Sequence, residues 1–137
     1  MNWIIASLLS MVGFGFLSIV YKVLTQQRLK PELISFSYFI FASIMLGIFL
    51  KSMGVKLSVI KNHIPLIILA ALFGTIANVS MAYAIKNSPN PGYVLTIINA
   101  NALLTIIISV ILLKSQIDII KLLGSIIVLI GLSLMLI

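Results

Sequence analysis

The chain breaks into five long apolar runs, roughly residues 3–23, 33–50, 64–85, 92–113 and 119–137, and its charged residues gather at their ends or between them. A helix rises about 1.5 Å per residue and the hydrocarbon core is roughly 30 Å thick, so about 20 apolar residues make a span. With 62% hydrophobic and 8% charged residues and a mean hydropathy of +1.31, membrane is the natural solvent. The runs are continuous and lack the alternation of barrel strands. Backbone groups in lipid must be satisfied within each segment, so helices are the expected form. The expected fold class is an all-α integral membrane protein with five transmembrane helices. The first run has no basic stretch before it and no clear small-residue cleavage site before Tyr21 and Lys22, so it is expected to stay as a mature helix rather than a signal peptide.

The joints agree with that division. "QQRLKPEL" puts Pro31 at a helix start, where its missing N–H costs nothing. "KNSPNPG" stops the third helix at Lys86, and Asn90 is a good N-cap with Pro91 in the first turn of the fourth. "KSQID" places Asp118 as N-cap of the last helix, where its charge suits the positive end of the helix dipole. The third-to-fourth and fourth-to-fifth joints are too short to cross a bilayer, so those helices form antiparallel hairpins.

Nine cations against two acids raise the question of nucleic acid, but the cations lie singly between apolar runs and form no phosphate-binding stripe. Lys22, Lys51, Lys86 and Lys114 stand at span ends, where long side chains snorkel to the interface. Cations on the two sides nearly balance, with Lys51, Lys56, Lys61, Lys114 and Lys121 on the side of the N-terminus and Lys22, Arg28, Lys30 and Lys86 on the other. The usual charge bias for one orientation is weak here. Both orientations are then open to the chain, unless another signal fixes one.

No ionisable group falls clearly inside a span, which argues against a carboxylate proton relay. His63 precedes the third run in a basic loop and suits an interfacial structural role. The polarity within the spans is neutral. On the third helix Ala71, Thr75, Asn78 and Ala82 share one face, and on the fourth Asn99 and Asn101, two positions apart, point to opposite faces. Asn78, Asn101, Thr75, Tyr83 and Tyr93 are the candidate substrate-binding residues, suited to a small polar or zwitterionic molecule. Gly13 and Gly15 on the first helix, Asn99 on the fourth, and Gly124 and Gly131 on the last are candidate packing positions, since small residues admit close helix approach and amides bond across it. Every polar residue of this kind can equally serve as helix glue. There is no cysteine, acid pair, histidine cluster or phosphate-binding glycine loop. No enzyme activity, metal or cofactor is expected.

"LFGTIANVSMAYAIKNSPNPGYV" and "LLKSQIDIIKLLGSIIVLIGLSLML", within residues 69–137, resemble the third and closing helices of the EamA-like family of the drug/metabolite transporter superfamily, with Tyr83, Ala84 and Lys86 ending the former and Gly124 and Gly131 in the latter. The resemblance implies one five-helix half of an inverted-repeat transporter, whose full-length members place two such halves in opposite orientation with substrate handled between them. The chain departs from that pattern in three places. Lys114 and Ser115 stand where relatives often have Gly-Glu, Asn101 and Ala102 where they often have Glu-Pro, and Tyr38 before Phe39 where they often have Arg. Neutral groups thus replace membrane charges.

The resemblance implies a multi-pass membrane protein, in the inner membrane if bacterial, working as an antiparallel homodimer or as a heterodimer with a sister chain. The first, third and fourth helices would line the path and the last would pack the dimer. The expected function is transport of a small organic metabolite or drug-like molecule by alternating access, with lipid bilayer and solute as the other partners. Two further readings stay open: a non-transporting membrane subunit that assembles with another membrane protein, and a holin-like pore former, although the charged tail expected of the last is missing.

Overall fold

A computed structural model describes residues 2–55 and 63–134. It consists of α1 (Trp3–Gln26), α2 (Pro31–Ser52), α3 (Ile64–Asn87), α4 (Pro91–Asn99), α5 (Asn101–Leu113) and α6 (Ile119–Leu134), with no strand among the described residues. α1, α2, α3 and the combined segment Pro91–Leu113 are each long and apolar enough to cross a bilayer, and α6 contributes a shorter apolar helix. The end of the fifth run, residues 135–137, lies outside the described residues, as do Lys56 and Lys61 of the loop-charge balance.

Polarity is distributed the opposite way from a water-soluble domain. Phe16, Phe41, Met45 and Leu112 are exposed, whereas Ser18, Thr25 and Ser35 are buried. In water such apolar faces would be a liability, and in lipid they are matched by the solvent. The chain is an integral, multi-pass membrane protein.

The helices group into two compact units, Ile19–Asn87 on the one hand and Met1–Ser18 with Ser88–Ile137 on the other. In the Ile19–Asn87 unit, the C-terminal part of α1 joins α2 and α3. α2 and α3 run antiparallel, so Glu32 at the start of one meets Tyr83 near the end of the other. Asn78, Met81, Ala82 and Ile85 follow steps of three, one and three on α3, and the last three are buried together with Tyr21 and Ile34.

The C-terminal ends of α1 and α2 are closed by paired backbone bonds around a left-handed residue. At the end of α1 the Arg28 N–H donates to the Thr25 carbonyl and the Leu29 N–H to Leu24, with Arg28 at φ 66°. At the end of α2 the Gly54 N–H donates to Lys51 and the Val55 N–H to Leu50, with Gly54 at φ 67°. This is the Schellman arrangement, in which a glycine is at ease and an arginine is not.

In the other unit the expected caps are present. The Asn90 side chain accepts from the Gly92 N–H at 2.8 Å, Pro91 occupies the first turn, and Asp118 Oδ1 accepts from the Ile120 and Lys121 N–H groups. Gly92 leaves room for the first of these, because a Cβ there would stand 3.1 Å from Asn90 Oδ1 and press the capping oxygen aside by a few tenths of an ångström.

The fourth apolar run crosses as the segment Pro91–Leu113 and tightens locally at Ala100, between α4 and α5: the backbone there stays helical at φ −62° and ψ −15°, but Ala100 N–H donates to Ile97 and Leu103 N–H to Ala100, three residues apart rather than four. No proline or glycine stands there. Asparagines flank it on both sides, and Thr96 and Thr105 bond back to the carbonyls of Gly92 and Asn101, which bends helices.

Candidate functional site

The densest polar cluster lies where α1, α2 and α3 meet in the Ile19–Asn87 unit. Tyr21, only 1% exposed, donates its hydroxyl to Asn78 Oδ1 at 2.9 Å across the α1–α3 contact. Its ring meets Tyr38 of α2 edge-on, at 6.1 Å between centroids and 81° between planes. The Ser35 hydroxyl, equally buried, faces the Tyr21 hydroxyl yet makes no hydrogen bond of normal geometry. Three helices thus converge on one phenol. A buried hydroxyl without a partner carries a desolvation cost of about 1–3 kcal/mol, so the Tyr21–Asn78 bond offsets such a cost that Ser35 still bears.

The cluster continues toward the end of α3. Its last four carbonyls have no acceptor role inside the helix. Lys22 donates its ammonium to two of them, Ile85 at 3.0 Å and Lys86 at 3.4 Å, placing a cation at the negative end of the α3 dipole. Because α1 extends to Gln26, Lys22 stands one turn inside it and reaches the neighbouring helix end. On the opposite side of α3, the Tyr83 hydroxyl donates to a Glu32 carboxylate oxygen, tying α3 to the first turn of α2.

The candidate residues therefore divide. Asn78 and Tyr83 lie in this cluster, each bonded to a neighbouring helix. Thr75 stands on α3 one turn before Asn78 and is exposed. Tyr93 and Asn101 belong to the other unit and are exposed, Asn101 at the first position of α5. Asn99 is exposed at the end of α4. Around Gly13, Gly15, Gly124 and Gly131 no atom comes within 4 Å of where a Cβ would stand, so no close helix approach uses them inside the described chain.

Sequence reasoning overlooked Tyr21, Lys22, Glu32 and Ser35. A signal for Tyr21 was there: Ser18, Tyr21 and Thr25 follow steps of three and four along α1, and all three are buried.

Chemically, the cluster is a set of neutral hydrogen-bonding groups edged by the Lys22 ammonium and the Glu32 carboxylate, with Lys30 and Lys86 near the latter. It has no nucleophile activated by a base, and no group of His, Cys, Asp or Glu residues suited to a metal occurs among the described residues. What it can do is bind. An amide has two N–H donors and an oxygen with two lone pairs, and Tyr21 uses one lone pair of Asn78.

No curated protein and no solved structure matches the chain. A family model does: the EamA-like transporter family is matched over residues 1–137. A membrane-spanning helical chain with neutral polar contacts between its spans, matched from end to end by that model, belongs to the EamA-like transporter family, whose members are membrane transporters of the drug/metabolite type and not enzymes.

Proposed function

We propose that this protein moves a small polar or zwitterionic organic solute across the membrane as a secondary transporter or facilitator, by alternating access in a dimer. The observation that carries the proposal is the family match over residues 1–137, joined to a buried tyrosine–asparagine bond in helices that are otherwise apolar. Asn78, Thr75 and Tyr83 supply one set of solute contacts; Tyr93 and Asn101 supply another. Neutral donors and acceptors suit a solute with no net charge, since an ion would meet no counter-charge among these five side chains. Opposed copies of the chain, or one copy with a sister chain, form the working unit. The open glycines support this, because their small-residue faces are left for a neighbour outside the chain.

The test is flux in proteoliposomes across a panel of small polar, zwitterionic and drug-like solutes. Asn78→Leu and Asn101→Leu are each expected to abolish flux without loss of assembly. Unchanged flux in both variants removes the site. Tags at the two termini, probed from both sides of the membrane, are expected to label in both orientations, and a single orientation leaves only the heterodimer. The same open faces also fit a subunit of another membrane protein, which copurification with a fixed partner and no flux alone would establish.

A further inference from the structure

A second polar feature lies away from this cluster, in the α5–α6 hairpin. A cavity of about 270 Å³ opens between the two helices at their connecting turn. Its inner wall is apolar, from Ile106, Val110 and Leu122, and its rim is Gln116, Asp118 and Lys121. The rim is built with both signs of charge side by side: Lys121 Nζ is 2.9 Å from Asp118 Oδ2, and both side chains remain substantially exposed. The two oxygens of Asp118 have separate tasks. Oδ1 caps α6 through the N–H groups of Ile120 and Lys121, and Oδ2 alone holds the lysine. Hence Oδ2 can change partner without loosening the helix start.

We infer that this cavity is a binding site for the headgroup of a zwitterionic phospholipid bearing a primary amine. The lipid ammonium takes the place of Lys121 on Asp118 Oδ2, and the released Lys121 ammonium meets the lipid phosphate. One ion pair is exchanged for two, and the acyl chain follows the apolar wall of Ile106, Val110 and Leu122. The geometry selects among headgroups. A quaternary choline nitrogen has no N–H to give Asp118. An anionic headgroup finds its cation already neutralised and a carboxylate beside it. The turn directly follows the Pro91–Leu113 span, so the cavity stands at the end of a membrane helix, where headgroups lie.

The test uses the full chain, delipidated in detergent and titrated with phosphatidylethanolamine, phosphatidylcholine or phosphatidylglycerol, with bound lipid counted by native mass spectrometry. Phosphatidylethanolamine is expected to bind about tenfold more tightly than either of the others, the scale of one charge-assisted hydrogen bond. Asp118→Asn keeps the capping oxygen and removes the charge, and it is expected to erase that preference. Lys121→Gln leaves the cap intact and is expected to weaken phosphatidylethanolamine about tenfold as well. Equal binding of the three lipids, unchanged retention in both variants, or competition by soluble phosphoethanolamine as strong as by the lipid would each overturn the inference.

Discussion

Breaking the Tyr21–Asn78 bond is the perturbation whose size is best defined. Asn78→Leu leaves the Tyr21 hydroxyl, on a side chain 1% exposed, without its acceptor. Leaving a buried hydroxyl unsatisfied costs about 1–3 kcal/mol. Tyr21→Phe removes the donor instead, and the half-buried Asn78 keeps some access to other partners, so the loss is about 0.5–1.5 kcal/mol. With both groups apolar nothing is stranded, and the double variant is expected to be close to Tyr21→Phe alone. The coupling returned by the cycle then equals the Asn78→Leu cost, about 1–3 kcal/mol, above the average of about 0.6 for hydrogen bonds between membrane helices and at its lower end inside their maximum of about 1.7. Reversible SDS unfolding in bicelles, followed by far-ultraviolet circular dichroism, measures all four proteins. Additivity within about 0.3 kcal/mol would refute the bond as the link between α1 and α3.

Ser35→Ala removes a buried hydroxyl with no partner, and the same assay should show a gain of about 1 kcal/mol; a clear loss would mean that the hydroxyl is bonded. Lys114 ends α5 at φ 51°, so Lys114→Gly should stabilise the chain by about 1 kcal/mol, and a loss would place the residue elsewhere in φ. The Lys121 ammonium, with the N–H groups at the start of α6, holds the Asp118 carboxyl below its usual range. A depressed carboxylate stabilises the fold above its unfolded value, near pH 4, and that contribution is lost as pH falls through the folded value. Protection of the first turn of α6 from hydrogen exchange, corrected for the intrinsic pH dependence of exchange, should thus be flat between pH 7 and 5 and fall in acid; the fall should be absent in Asp118→Asn.

The span pattern and the caps were legible because they depend on local chemistry. Asn90, Pro91, Pro31 and Asp118 act within a turn of where they stand, and apolar length alone sets the spans. The tightening at Ala100 was not legible, since the usual breakers are absent and only the two asparagines and two threonines around it hint at a bend. The partner of Asn78 lies fifty-seven residues away, and face arithmetic on α3 says which way an amide points but not which helix meets it. The partner of Lys22 was not legible for a related reason: the apolar run stops near it, whereas the helix continues to Gln26. Lys114 shows what the departure from the family pattern means physically. The resemblance read from the sequence sets a glycine where this chain has Lys114, and that position is left-handed.

The most direct test of the transport account is solute flux by the double variant Tyr21→Phe/Asn78→Leu in proteoliposomes, at protein levels matched to the unsubstituted chain. This variant removes the amide while sparing the α1–α3 contact an orphaned hydroxyl. The expected result is a folded, assembled protein that moves none of the solutes the unsubstituted chain moves. Flux equal to that of the unsubstituted chain would contradict a role for Asn78 in handling solute.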